Sequence, residues 1–486
     1  MRYGLYSAAC ATLTHLPEFA SDMPSNFSQS ANPGAQQKPD CAVPDLTTAH
    51  QGPLLRFESL LKERAADIEA WFRRQWRSTP PPFYGSVDLR NAGFKLAPVD
   101  TNLFPAGFNN LNPAFEPLCV QALQAAFERL MPTACGVLLI PENHTRNQFY
   151  LENVAVLQEL MRNAGYKVEL GSLREDLHEA ETLTLDSGRE VLLHPLQRTG
   201  DSVGIDGFTP CVVVLNNDLS SGRPAILENL DQPVTPPLGV GWSSRLKTQH
   251  FDQYRKVTTE FGALLDMDPW WLTPLFRNCG HINFKAHEGE DCVAANVDAL
   301  LADIRTKYAE YGVEEEPFVI VKADAGTYGM GVMTVKSGDE VRHLNRGTRK
   351  KMSATKGGRE VQSVIIQEGV PTLERVDSDG DVPGGTAEPV VYMIDHYVVG
   401  GFYRVNGARS TQENLNAPGA HFKQLAFAEP GAHPRHGGSG DCDCATNRFY
   451  AYGVVARLAL LAAAREIAHV QAVEPGITTT APMVAA

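Results

Sequence analysis

A lysine followed by three glycines, at the end of an apolar run, is the stretch of this sequence best suited to binding phosphate. The segment reads "KADAGTYGMGV" (322–332), and the apolar runs "FVIV" before it and "VMTV" at its end both predict strands. A strand, a glycine loop and a second strand predict a flap over a triphosphate, because glycines permit close backbone approach and a lysine neutralises phosphate charge. The flap residues expected to contact a nucleotide are Lys322, Gly326, Tyr328, Gly329 and Gly331.

Two other phosphate-binding motifs are excluded by the element that comes after these glycines. A Walker loop needs Gly-Lys-Ser/Thr at the start of a helix, and a dinucleotide fingerprint needs G-x-G-x-x-G at the start of one. Here a predicted strand takes the place of that helix. An ordinary β-hairpin with a flexible tip remains the alternative to a nucleotide flap.

Two neighbouring segments suit the same nucleotide. Lys285, in "HINFKAHEG", lies 37 positions before Lys322, and we expect an adjacent strand to deliver it as a second phosphate-binding lysine. The segment "VQSVIIQEGVPTLE" predicts a hinge strand whose backbone bonds an adenine edge while a carboxylate takes ribose hydroxyls, with Gln367, Glu368 and Val370 as the contacts. Taken singly, an exposed lysine and an ordinary edge strand are the alternatives.

A third segment, "EPVVYMIDHYVVGGFYRVNGARSTQENLNAPGAHF", predicts two strands joined by "DH". It carries Arg404 and, ten positions later, Asn414 in "NLNAPG". An arginine and an amide at the end of a strand pair suit the stabilisation of a transferred phosphoryl group.

Composition limits the protein's class. The chain has 486 residues, 43% of them hydrophobic, and a formal net charge of −14, which argues against nucleic acid or an anionic membrane as the main partner. Its nine cysteines are scattered and do not form a compact disulfide framework, so a reducing cytoplasm fits best. No stretch is long enough to span a bilayer, and we expect a soluble protein.

The chain divides into four predicted regions. Residues 1–51 are rich in Ser, Asn, Pro and Gln and predict a disordered extension, and residues 471–486 predict a flexible tail. Alternating strand and helix patterns after "CGVLLI" predict a parallel α/β substrate-binding domain within 52–250. Residues 251–470 hold the flap, the hinge and the strand pair, and predict a nucleotide-binding catalytic domain.

In order, these features resemble the ATP-grasp superfamily, especially its glutathione synthetase-like members. Residues 52–470 resemble the proteobacterial ATP-grasp type of glutamate-cysteine ligase, most specifically in "DLRNAGFKLAPVDTNLFPAGFNNL" (88–111) and "PENHTRN" (141–147) together with the flap. This resemblance implies an α/β (α+β) fold, with an N-terminal parallel substrate domain and a C-terminal two-subdomain ATP-grasp module. It also implies that ATP, L-glutamate and L-cysteine give γ-glutamylcysteine, ADP and phosphate, the first step of glutathione biosynthesis.

The implied reaction assigns roles to particular residues. Joining a carboxylate to an amine needs an activated carboxylate, and an acyl phosphate supplies a leaving group. Lys322, Arg404 and Asn414 are the expected catalytic residues, because cations stabilise the transferred phosphoryl and the later oxyanion. Mg²⁺ must bridge the phosphates, and the acidic pair usual in the superfamily is missing after residue 460. Either "NLNAPG" takes the metal role, with Asn414 and Asn416 as ligands, or Asp395 and Glu413 supply the charge.

A dense polar set in the 88–111 segment, with one arginine beyond it, is expected to bind the amino-acid substrates. An ammonium and two carboxylates need an acid, a base and amides as partners. The predicted contacts are Lys95, Asp100, Asn102, Asn109, Asn110 and Arg146. The alternatives are a loop packed by its aromatics and prolines, and an exposed arginine at a helix start.

Two other functions remain open. Another ATP-grasp ligase, such as a glutathione synthetase, would share the flap and hinge but differ in the 88–111 segment. A non-catalytic ATP-binding regulator would bind ATP without turnover. In each case the partners are small molecules, and the oligomeric state stays open.

Overall fold

The computed structural model describes residues 46–47, 53–144, 146–326, 331–353, 360–378, 384–425 and 448–473. These residues all lie within one compact unit, 43–486. Most of the predicted disordered extension, most of the predicted tail, and the flap-tip residues Tyr328 and Gly329 lie outside the described residues, but Leu46–Thr47 within the extension form a short strand.

The helices of the described chain are α1 (Pro53–Glu63), α2 (Ala65–Ser78), α3 (Glu116–Leu130), α4 (Gln148–Asn163), α5 (Lys247–Leu265), α6 (Glu290–Tyr311), α7 (Gly338–Arg342), α8 (Arg346–Met352) and α9 (Arg448–Val473). Helices α1 and α2 meet at Arg64, and α2 ends at Ser78, shortly before a run of three prolines that cannot continue a helix. Within the part of the chain that is described, no helix has the length and apolar character needed to cross a membrane.

The strands are β1 (Leu46–Thr47), β2 (Tyr84–Asn91), β3 (Leu96–Asn102), β4 (Gly136–Pro141), β5 (Lys167–Ser172), β6 (Glu181–Thr184), β7 (Glu190–Pro195), β8 (Gln197–Thr199), β9 (Ser202–Gly204), β10 (Val212–Asn216), β11 (Val234–Thr235), β12 (Phe276–Gly280), β13 (Val319–Ala323), β14 (Val332–Val335), β15 (Ser363–Glu368), β16 (Arg375–Val376), β17 (Gly385–Ile394), β18 (Tyr397–Asn406) and β19 (His421–Gln424). They form sheets of seven, six, four and two strands. A mixed α/β fold is therefore confirmed.

The six-stranded sheet has the order β11-β10-β4-β5-β7-β6, and all its pairs are parallel except β6 with β7. Strands β4 and β10 are apolar and buried throughout, as strands of a parallel sheet must be when both faces are covered. Helices α3 and α4 contribute apolar side chains to the same core. A mainly parallel sheet is thus present between residues 136 and 235.

The four-stranded sheet has the order β12-β15-β13-β14 and is antiparallel. Lys322 faces Val332 across the β13–β14 pair, so the predicted strand–loop–strand hairpin is confirmed. Helix α6 packs on this sheet through Val293, Val297 and Ile304. A disulfide joins Cys279 of β12 to Cys292 of α6, a pairing that the scattered cysteines did not predict.

The seven-stranded sheet unites distant parts of the chain. Strand β17 pairs with β18 on one side and with β2 on the other, and β2 pairs with β3. This pairing joins residues 84–102 to residues 385–406, so the predicted segments 52–250 and 251–470 share one sheet. Helix α9, whose residues Val454 to Ala462 are almost entirely buried, packs in the same core as α1, α2 and α5.

Candidate functional site

The candidate site is a cavity lined by both antiparallel sheets, which we call the central cavity. Strands β2, β3, β17 and β18 contribute from the seven-stranded sheet, β13, β14 and β15 from the four-stranded sheet, and α5 contributes its first residue. Its charged and amide-bearing residues are Asp88, Arg90, Asp100, Lys247, Lys322, Gln367, Glu368, Glu388, Arg404, Gln412, Glu413, Asn414 and Asn416.

Two arginines and two carboxylates form a network of ion pairs on one wall of the central cavity. Arg404 faces Glu388 across the β17–β18 pair, and its Nη1 donates to Glu388 Oε1 at 2.6 Å and to Asp88 Oδ2 at 2.8 Å. Arg90 Nε donates to the other oxygen of Glu388 at 2.9 Å. The Nε atom of Arg404 is buried and has no hydrogen-bond partner among the described residues, which leaves one donor for a ligand.

The two carboxylates have opposite pKa shifts. Burial raises the pKa of Asp88, and the negative charge of Glu388 raises it further against the opposing effect of Arg404. Burial also acts to raise the pKa of Glu388, but the guanidinium groups of Arg90 and Arg404 outweigh it and hold that pKa below its ordinary value. Glu388 is thus the fixed anion of this wall, and Asp88 is its more readily protonated member.

Two lysines lie beside the flap. Lys322 Nζ donates to the carbonyl of Val99 at 2.7 Å, and its removal from bulk water lowers its pKa to about 8. Lys247 Nζ donates to the carbonyl of Gly326 and lies 4.2 Å from the centre of the Trp242 ring. Both cations hold the pKa of Asp100 below its ordinary value although burial acts to raise it. This side of the cavity is therefore cationic.

The start of α5 fixes Lys247 against the flap. The backbone N–H and the hydroxyl of Thr248 donate to the two carboxylate oxygens of Asp324, at 2.8 and 2.7 Å. Lys247 N donates to the Asp324 carbonyl at 2.9 Å. Gly326 follows with a φ of 96°, a backbone conformation that glycine adopts most readily.

The hinge strand β15 is held from beneath by a buried ion pair. Lys95 Nζ lies 2.6 Å from Glu368 Oε2, and both side chains are 0% exposed. The backbone N–H of Leu275 donates to the same oxygen at 2.8 Å. The other oxygen of Glu368 and Nε2 of Gln367 are buried and have no hydrogen-bond partner among the described residues.

The central cavity brings together many of the predicted site residues. Those that line it are Asp100, Lys322, Gly326, Gln367, Glu368, Val370, Arg404, Glu413, Asn414 and Asn416. Gly331 has a φ of 63° in the hairpin and does not line the cavity.

Three residues predicted to contact the nucleotide, the metal and the substrate lie elsewhere, each for a physical reason. Lys285 lies in the turn between β12 and α6, not on a strand, and its exposed Nζ pairs with Glu360 at 3.1 Å. Asp395 lies in the β17–β18 turn and pairs with Arg129 at 2.7 Å, outside the cavity lining. Lys95 is buried beneath the hinge and cannot reach a substrate.

The predicted substrate amides and Arg146 also lie outside the cavity lining. The side chain of Asn102 stabilises a local turn, because its Oδ1 accepts a hydrogen bond from Phe104 N at 2.9 Å. Asn109 and Asn110 belong to a short 3-10 turn (Phe108–Asn110), and the buried Oδ1 of Asn109 has no hydrogen-bond partner among the described residues. Arg146 is exposed beyond the end of β4, in a separate surface pocket with Phe149.

Four site residues were missed by the sequence reasoning, namely Asp88, Arg90, Lys247 and Glu388. The signal for two of them was present, because Asp88 and Arg90 are two residues apart on a strand and therefore face the same side. Lys247 carried no comparable signal, since only the fold brings the start of α5 to the flap.

The chemistry of the cavity suits a divalent cation held jointly with phosphates. No group of three or more His, Cys, Asp or Glu in the described chain could hold a metal by itself. Magnesium, however, commonly takes one or two carboxylates and completes its shell with phosphate and water. Carboxylates of Asp88, Glu388 and Glu413 and the amides of Asn414 and Asn416 all line the cavity.

A cavity that gathers two lysines and two arginines beside a strand–loop–strand hairpin suits the binding of a phosphorylated nucleotide. Comparison with known proteins makes this specific: the glutamate-cysteine ligase (GshA) family model matches residues 58–467. The chain belongs to the glutamate-cysteine ligase family. Its predicted activity as a ligase that joins glutamate to cysteine in glutathione biosynthesis is confirmed, and enzymes of this kind are ATP-dependent and generally need a divalent metal.

Solved structures give the same family. A crystal structure of a proposed gamma-glutamylcysteine synthetase from Methylobacillus flagellatus KT is 54% identical, covers 88% of this chain and 99% of its own, and has a TM-score of 0.79. D-alanyl-alanine synthetase A from Vibrio cholerae is 11% identical over 67% of this chain and 81% of its own, with a TM-score of 0.32. A glutathione synthetase-like effector from Globodera pallida is 11% identical over 76% and 81%, with a TM-score of 0.34. The last two carry no argument, and no curated protein sequence matches the chain.

Proposed function

We propose that the central cavity is the active site, and that it joins the γ-carboxylate of L-glutamate to L-cysteine through an acyl phosphate made from ATP. We further propose that Mg²⁺ is the metal and that the two antiparallel sheets act as an ATP-grasp module. The observation that carries this proposal is the convergence of Arg90, Lys247, Lys322 and Arg404 on one cavity in a chain of net charge −14. Five carboxylates line the same cavity, and Arg90 and Arg404 are paired with two of them, so Lys247 and Lys322 are the cations that suit a triphosphate.

The nucleotide would lie between the flap and the hinge. Lys322 and Lys247 neutralise the charge of its phosphates, while Gly326 lets the backbone approach them closely. The hinge residues Gln367 and Val370, which line the cavity, are proposed to contact the base through their backbone. Lys95 does not bind substrate in this proposal, but positions Glu368 through the buried ion pair.

The chemistry needs cations more than it needs a nucleophilic side chain. A γ-carboxylate oxygen of glutamate attacks the terminal phosphorus, and the bond from that phosphorus to the ADP oxygen breaks. The cysteine nitrogen then attacks the acyl carbon, and phosphate leaves with the electrons of the carbon–oxygen bond. Charge grows on oxygen in both steps, and Arg404 lies where a guanidinium would stabilise it.

Asp88 is the candidate acceptor for the proton that cysteine's ammonium group must lose. It lies in the cavity beside Arg404, and its pKa is raised by burial, so it holds a proton more readily than an exposed aspartate. Asp100 is proposed to receive the ammonium group of glutamate, since it is a carboxylate that remains ionised beside two lysines.

Mg²⁺ would be held by Glu413, Asn414 and Asn416, which line the cavity from the loop after β18. When bound, the ion supplies charge neutralisation between neighbouring phosphates. Asp395 is not part of this set, because it pairs with Arg129 outside the cavity. We propose the cytoplasm as the site of action, where ATP and reduced cysteine are both present.

An isotope experiment tests the acyl phosphate. Glutamate labelled with ¹⁸O in its γ-carboxylate is incubated with the enzyme, Mg-ATP and cysteine, and the released phosphate is analysed by mass spectrometry. An acyl phosphate transfers one labelled oxygen to each phosphate. Unlabelled phosphate formed together with γ-glutamylcysteine would show that the carboxylate is not phosphorylated, and would overturn the proposed mechanism.

A further inference from the structure

A second cavity lies at the other end of the β17–β18 strand pair, and we call it the arginine pocket. It has a volume of about 710 Å³ and is formed by α2, α3, the β17–β18 turn and the start of α9. No lining residue is shared with the central cavity. Asp395 of the arginine pocket and Glu388 of the central cavity are seven residues apart along the chain, or about 23 Å at the usual strand rise. A volume of this size is typical of small-molecule sites.

The charges of the arginine pocket do not balance. Its lining holds four arginines and two carboxylates, namely Arg73, Arg77, Arg129, Arg457, Glu69 and Asp395. Arg457 uses both terminal nitrogens to bind Glu69, each at 2.7 Å, and Arg129 donates to Asp395 at 2.7 Å. The two carboxylates are thereby matched with two of the arginines, and a surplus of two positive charges remains in a protein that is acidic overall.

The surplus charges lie side by side. Arg73 and Arg77 are four residues apart on α2, so their side chains share one face of the helix. Both are exposed, and neither forms a hydrogen bond or an ion pair with another residue in the described ranges of the chain, although the charge of Arg73 also helps to lower the pKa of Glu69. Like charges at this spacing destabilise a helix unless an anion lies between them. Two adjacent guanidinium groups also have the donor geometry that carboxylates and phosphates prefer.

Aromatic side chains form the remaining walls. Trp76 lies on α2 between the two arginines, and its ring centroid is 6.5 Å from that of His396. Tyr397 and Phe72 complete this wall, and Tyr397 is 39% exposed. A flat apolar ring placed here would gain stacking and burial while an attached anion reached the arginines.

We propose that the arginine pocket binds a small anion that carries an aromatic ring. Nucleoside monophosphates and aromatic carboxylates both belong to this class. The site is separate from the ligase chemistry proposed for the central cavity and does not depend on it. Arg73 and Arg77 hold the anion, and Trp76 stacks on the ring.

Calorimetry on the full chain tests the class of ligand. The probes are AMP and phenylacetate, which carry both a ring and an anion, and adenosine and inorganic phosphate, which each carry one. We expect AMP, phenylacetate or both to bind at least about tenfold more tightly than either fragment. AMP alone would indicate nucleotides, and phenylacetate alone would indicate aromatic carboxylates. Equal binding of all four probes, or of none, would overturn the proposal.

Variants separate this pocket from the active site. The double variant Arg73→Ala/Arg77→Ala should weaken binding of the preferred probe about tenfold or more, while ligase turnover is retained. Arg74→Ala is the matched control, because Arg74 is exposed on the same helix but does not line the pocket. Lys322→Ala, which alters the central cavity, should leave the binding unchanged. Binding that persists in the double variant, or is lost only in Lys322→Ala, would refute the assignment.

Discussion

Replacing Lys322 by alanine should remove most of the activity without unfolding the protein. Among the described residues the side chain donates to the Val99 carbonyl alone, and it lines the central cavity. A unit charge about 4 Å from a phosphate charge, at an effective dielectric constant of about 20, contributes about 4 kcal/mol. Loss of one comparable charge-stabilising donor elsewhere lowers turnover by about 10²–10³. We therefore expect kcat/KM for ATP to fall by about 10²–10³.

The assay is ADP release with Mg-ATP, glutamate and cysteine, with thermal unfolding followed in parallel. Lys336→Ala is the matched control, since Lys336 follows β14 of the same hairpin but is 43% exposed and pairs with Glu316 at 2.7 Å. The control should retain nearly full activity. A Lys322→Ala enzyme that keeps more than about a tenth of wild-type kcat/KM would refute the reasoning that this lysine neutralises phosphate charge.

Three further predictions concern the hinge, the flap lysine and the long C-terminal helix. Lys95→Met should lower the free energy of unfolding by about 3–5 kcal/mol in urea titrations, because it leaves Glu368 buried without its cationic partner. The double variant Lys95→Met/Glu368→Leu should recover much of that loss. If it recovers none, the buried ion pair is not the cause of the loss. Burial lowers the pKa of Lys322 to about 8, so kcat/KM for ATP should fall in the wild type as the pH rises through 8. It should not fall in Lys322→Arg, because arginine keeps its charge over this range. Identical pH profiles for the two enzymes would contradict this. Arg245 and His250 help hold the pKa of Glu466 at about 2 against burial, so its stabilisation is present above pH about 4.5 and is lost as the pH falls toward 2. Glu466→Gln should thus be less stable than wild type at pH 7 by on the order of 3 kcal/mol, with the gap closing by pH 2 to 3, and a gap independent of pH would exclude the ion pair as its cause.

Local sequence patterns predicted the parts of the site that lie within one element or one hairpin. The β13–β14 flap, the hinge strand and the β17–β18 pair could all be read because strand periodicity and glycine positions are short-range signals. Within them, Lys322, Glu368 and Arg404 line the cavity as expected.

The remainder depends on contacts between distant parts of the chain. Lys285 was expected on a strand beside the flap, but β12 ends at Gly280, and Lys247 from α5 lies there instead. Asp395 follows the end of β17, the strand that carries Glu388. Its carboxylate is a plausible metal ligand by chemical type, but it lies far from the central cavity. Lys95 illustrates the same limit: its spacing suited a substrate contact, yet the pairing of β2 with β3 turns it beneath the hinge.

The Gln367–Val370 hinge also shows how burial changes the role of a residue. Glu368 was expected to bind ribose with its carboxylate, and one of its oxygens is instead taken by Lys95 and by the backbone of Leu275. The second oxygen is buried and has no hydrogen-bond partner among the described residues. Sequence alone cannot show which oxygen of a carboxylate binds a structural partner, because that depends on the side of the strand from which each partner approaches.

The most direct test of the central claim measures ADP and product together. Purified protein is incubated with Mg-ATP and L-glutamate, with L-cysteine, L-alanine, glycine or no acceptor, and separately with γ-glutamylcysteine plus glycine. We predict cysteine-dependent ADP release with one γ-glutamylcysteine formed per ADP, and its loss in Lys322→Ala. Turnover only with γ-glutamylcysteine plus glycine, or ATP binding without turnover under any pairing, would contradict this assignment of the central cavity.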